Sequence, residues 1–80
     1  MSTEAEKGVI GCAALGALDE CLSEGINVDY FSHQHNRVIW NSMLKIAEQN
    51  KPIDTTTLSH QIREVGYGLE CISHLISCEE

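Results

Sequence analysis

The chain has 80 residues, with 12 acids against 5 bases and a formal net charge of −7; that surface repels phosphate backbones, argues against direct nucleic-acid binding and suits a basic protein partner better. A hydrophobic fraction of 42% with one proline and six glycines excludes a disordered chain. The length allows one domain at most, burying about 60% of its unfolded surface, so self-association would add to its stability.

In chain order, the first predicted helix runs from about Glu4 to Leu15, with Thr3 and Glu6 spaced as a capping box. Val9, Ile10, Cys12, Ala13 and Ala14 form its apolar side, and Gly8 and Gly11 read as packing sites for another helix. Gly16 breaks the pattern. A short helix follows from about Ala17 to Ser23, with Leu18, Cys21 and Leu22 facing inward and Gly25 placed to close it as the C′ residue. After a loop, Tyr30 and Phe31 return to the core. The third helix starts at Ser32 or His33 and ends near Gln49, with a stripe of Val38, Ile39, Met43, Leu44, Ile46 and Ala47. Trp40 lies at the edge of that stripe, where an exposed rim would suit contact with a partner.

Pro52 stops this helix, because the residue before a proline is pushed out of the α region. Asp54 then caps a fourth helix, about Thr55 to Val65, whose Leu58, Ile62 and Val65 share one face. Gly66-Tyr67-Gly68 is a turn. A fifth helix covers about Leu69 to Ser77, with Cys71, Ile72, Leu75 and Ile76 apolar. Strand-like alternation is absent, so the expected fold is all-α: a compact array of about five short helices in one domain. No apolar run nears the ~20 residues that cross a bilayer, and the early acids exclude a secretory n-region.

Motifs for chemistry are sparse. No G-x-x-x-x-G-K-[ST] phosphate loop occurs, so no ATPase site lies in these residues. Cys71, His74 and Cys78 fall at i, i+3 and i+7 on one helix, and Cys12 and Cys21 are the other thiols. Structural zinc sites use close C-x(2–4)-C pairs, which these spacings lack, and no metal is expected. Cys71 and His74 also lack the third group that a nucleophile and base require, so no catalytic residue is expected. All four cysteines are expected as reduced thiols packed within helices. His33 and His35 bracket Gln34 at the start of helix three.

Four segments taken together carry a resemblance: Glu4-Ala5-Glu6 followed by Val9-Ile10-Gly11, then Tyr30-Phe31, then Arg37-Val38-Ile39-Trp40 with Met43, then Pro52-Ile53-Asp54-Thr55-Thr56-Thr57-Leu58. In order and spacing they resemble the N-terminal domain of the bacterial and phage replicative DNA helicase of the DnaB type. That family reads E-A-E-x-x-V-L-G, D-F, H-x-x-I-F-x-x-M and P-I-D-x-x-T-L. The resemblance implies a non-catalytic domain, six copies of which form a collar on a hexameric ATPase ring as a trimer of dimers. It also implies docking of primase and action of loader proteins nearby. ATP and magnesium would belong to a motor domain beyond Glu80, and the location would be the cytoplasm of a bacterium or of a phage's host.

On this reading residues 1–80 are a fragment lacking the helical hairpin and motor. Glu4 matches the first acid of E-A-E and would be exposed to contact primase. The family's Y-L-x-x-L falls on Cys71 to Leu75, so Cys71 replaces a tyrosine. With a shortened preceding loop, this points to a phage or divergent helicase with its own primase. The family's histidine position falls on Asn36, with His35 one residue early. The expected partner-binding residues are therefore Glu4, Trp40, Cys71 and His74. The alternatives are a stand-alone acidic helical adaptor and a small Cys/His metal or redox protein.

Overall fold

A computed structural model describes residues 3–79. The helices are α1 (Thr3–Cys12), α2 (Leu18–Ser23), α3 (Gln34–Glu48), α4 (Thr55–Glu64) and α5 (Leu69–Glu79). A kinked turn, Ala13–Ala17, joins α1 to α2, and a 3-10 turn, Val28–Tyr30, precedes α3. The kink sits at Gly16, whose φ of 118° is accessible to glycine and strained for any L side chain. Among the described residues there is no strand, and no helix is long and apolar enough to cross a membrane.

Local chemistry fixes the ends. The Asp54 carboxylate accepts from Thr57 N–H at 2.9 Å, while Asp54 N–H donates to Thr57 Oγ1 at 3.0 Å, a reciprocal cap on α4. Three helices end in the same double bond. Gly25, Asn50 and Gly66 have positive φ, and each donates its N–H to the carbonyl three residues back. The next residues, Ile26, Lys51 and Tyr67, donate to Cys21, Ile46 and Ile62. This satisfies carbonyls that the last turn would leave without partners.

α3 is the central element, packed against α1, α4 and α5, while α1 also lies along α5. The core comprises Ile10, Phe31, Ile39, Trp40, Met43, Ile46, Leu58, Ile62, Cys71 and Leu75 with smaller neighbours. Phe31 and Trp40 pack with ring centroids 5.3 Å apart. The molecule measures 27 × 26 × 22 Å.

The element order agrees with the sequence reading, and several side chains do not. Trp40 is 0% exposed, not at a rim, and its Nε1–H has no hydrogen-bond partner among the described residues. Three helices surround α3, so its buried arc is wider than one apolar stripe. Leu22, Val65 and Ile76, expected inward, are 43%, 52% and 47% exposed. Periodicity marks which residues are apolar, and the described residues cover those three only in part. Cys12 and Ala47 are exposed as well. Gly8 is exposed with no heavy atom near a would-be Cβ, so it is not a packing site; Gly11 is buried. Cys12, Cys21 and Cys71 are free thiols, and Cys78 is half-buried.

Candidate functional site

The polar centre of the molecule is built on Glu6. It lies one turn before Ile10 on the buried side of α1 and has no exposed surface. A buried carboxylate must find donors, and the start of α3 supplies them. Glu6 Oε1 accepts from the backbone N–H of Ser32 at 3.0 Å and of His33 at 3.2 Å, and from Asn36 Nδ2 at 3.1 Å. Glu6 Oε2 accepts from the Ser32 hydroxyl at 2.7 Å. These bonds, the Ser32 hydroxyl foremost, hold the Glu6 carboxyl down at about 2 against the opposing effect of burial. The spacing predicts a capping box of Glu6 with Thr3, whose side chain lies outside the described residues. The Glu6 carboxylate instead anchors another helix.

Asn36 passes this anchor on. Its side chain is fully buried, with its nitrogen committed to Glu6 and its oxygen 2.6 Å from His74 Nε2 on α5. An amide oxygen only accepts, so His74 Nε2 carries the proton and Nδ1 bears the lone pair. Burial first, then the neighbouring His33, His35 and Lys7, pushes the His74 imidazole below its ordinary range. His33 is the N-cap of α3, its Nδ1 accepting from His35 N–H at 3.1 Å. The His33 and His74 rings stack, with centroids 4.7 Å apart and planes 7° from parallel, and His35 lies against both.

The four residues expected to bind partners are thus scattered. Glu4 is exposed on α1, as expected. Trp40 is in the core, closed to any partner. Cys71 is 1% exposed, and its thiol is pushed up to about 11 by burial and then by Cys78, so it also faces inward. His74 is half-buried and joins His33 and His35, not Cys71 and Cys78 as a ligand set along one helix would have required. The outward face of α5 is instead Leu69, Ser73 and Ile76, at i, i+4 and i+7, all exposed. Leu69 reaches 71%.

Sequence reasoning missed Glu6 and Asn36 as structural pivots. The signal was register: Glu6 is in phase with buried Ile10 and Ala13, and Asn36 with buried Ile39, Trp40 and Met43. A polar side chain in an apolar stripe implies a partner across the core.

A family model described as DnaB-like helicase N terminal domain matches residues 1–76. No curated protein and no solved structure gives a match. The match takes in all of α1 to α4 and most of α5, so the chain belongs to the DnaB-like helicase N-terminal domain family.

Proposed function

We propose that this domain is a non-catalytic protein-interaction module of a replicative DNA helicase. In this reading it associates with copies of itself in the collar of a hexamer and docks primase, with loader proteins acting nearby. ATP and magnesium serve a motor domain elsewhere in the parent protein, and the setting is cytoplasmic.

Family membership supports the helicase reading. The observation that carries docking is the exposed apolar face of Leu69 and Ile76 on α5, with Val65 exposed at the end of α4. Large side chains left uncovered by a domain's own elements mark contact sites when they cluster. Exposed Glu64 and Glu70 directly adjoin Val65 and Leu69 in the chain, so acids border the apolar face, and α1, which packs on α5, bears exposed Glu4. A partner with an apolar centre and a basic rim fits that surface and the net charge of −7.

The test is isothermal titration with the C-terminal domain of the primase from the same genome. Micromolar binding is expected. Leu69→Glu with Ile76→Glu should abolish it, and Glu4→Ala should weaken it several-fold. Undiminished binding by the double variant would remove α5 from the interface, and no binding by the folded wild type would sink primase docking by this domain.

A further inference from the structure

His33 and His35 come from the start of α3 and His74 from the middle of α5, and together they offer three ligand atoms within 4.8 Å of one another. We propose that these three imidazoles form a site for a divalent transition-metal ion, zinc being the reference case, that clamps the start of α3 to α5.

The donor set points to this class of ion. Neutral imidazole nitrogens suit zinc, cobalt, nickel and copper and are poor ligands for calcium or magnesium. Tetrahedral zinc with bonds of about 2.0–2.1 Å needs nitrogens about 3.3 Å apart. Modest ring rotation closes the difference, since all three rings are half-buried and torsion about the bond to an imidazole is soft. A fourth position stays open to water. His35 also lines a surface hollow with Tyr67, Leu69 and Glu70, which gives an ion a path in from solvent.

The second observation lies behind the rings. Metal-binding histidines characteristically donate their other N–H to an oxygen, which fixes the tautomer and the ring. His74 already does so toward Asn36, which is itself held by buried Glu6. That bond leaves Nδ1 as the His74 atom with a lone pair to offer, and the stacked His33 and His74 rings must turn to direct their nitrogens at one ion. The Glu6 carboxylate supplies a fixed negative charge behind the site, and Lys7 is the opposing cation near His74.

His33 must change more. Its Nδ1 now accepts from His35 N–H. Binding through Nδ1 takes that lone pair, and binding through Nε2 moves the ring proton to Nδ1. Either way the ion replaces the cap bond, and the His35 backbone amide reports it.

The experiment titrates the reduced, chelator-treated 80-residue domain with zinc by calorimetry and with cobalt by absorption. The expected result is one ion per chain, a zinc-dependent rise in Tm, and a shift of the His35 amide resonance. His33→Ser removes a ligand but keeps a good N-cap, and His35→Gln removes another from a half-buried position. Each should weaken zinc at least tenfold while leaving the Tm in chelator near wild type. The proposal is overturned by the lack of saturable one-to-one binding, or by equal affinity in both variants. A thiolate-to-cobalt charge-transfer band would also overturn it, because it would place the ion on cysteine.

Discussion

Glu6 ties α1 to the start of α3 through four hydrogen bonds, and pH tests that directly. Its carboxyl sits at about 2 in the folded protein against an ordinary 4.5. The unfolded chain therefore takes up its proton first as pH falls. The stabilisation is complete above 4.5 and drains away between 4.5 and about 2. Urea unfolding with chelator present should show wild-type stability falling through that window, and Glu6→Gln should be less stable at neutral pH and flatter across it. Glu6→Ala should cost about 3 kcal/mol at pH 7, because four donors lose a charged acceptor inside the protein. An unchanged acid limb in Glu6→Gln would mean that another group governs acid unfolding. Helical register marks Glu6 and Asn36 as buried, but it does not name their partners. His74 lies more than 35 residues from His33, His35 and Asn36, so no local spacing brings them together.

Helices were legible where their signals are local. Asp54 was readable as a cap because Pro52, the acid and Leu58 stand within one turn of the helix start, and the structure adds that Thr57 returns the bond. Gly25 was readable as a terminator for the same reason. The corresponding role of Asn50 was hidden, since Pro52 already accounted for the end of α3. Asp54→Ala should lower stability by about 1 kcal/mol in denaturant unfolding, with Thr57→Ala giving a smaller loss. Since both act on one reciprocal cap, the double variant should cost less than the sum. A full sum would show that the two side chains stabilise α4 independently.

At the scale of the whole molecule, 80 residues leave too little chain to cover every apolar side chain. Leu15 and Leu22, at the kink and on α2, are 71% and 43% exposed, so the described residues leave much of both side chains open. If they contribute to contact between copies, Leu15→Glu with Leu22→Glu should reduce concentration-dependent association by light scattering while leaving Tm within a few degrees. Association that persists unchanged would move the self-contact elsewhere. The inward or outward direction of Leu22, Val65 and Ile76 was not legible, because hydrophobicity does not say whether a covering element exists. Family membership was legible, because order and spacing of short segments survive even where single positions such as Cys71 depart from the pattern.

The burial of Trp40 also gives the protein its own optical gauge. It is the one tryptophan in the chain, it lies against Phe31, and its indole N–H is buried with no acceptor among the described residues. Its emission should therefore sit at the blue end of the range and resist quenching by iodide. A protein that docks on the outside of α5 leaves that colour unchanged, whereas loosening of the core turns it red. Fluorescence thus separates a variant that has lost a surface from one that has lost its interior, without any label.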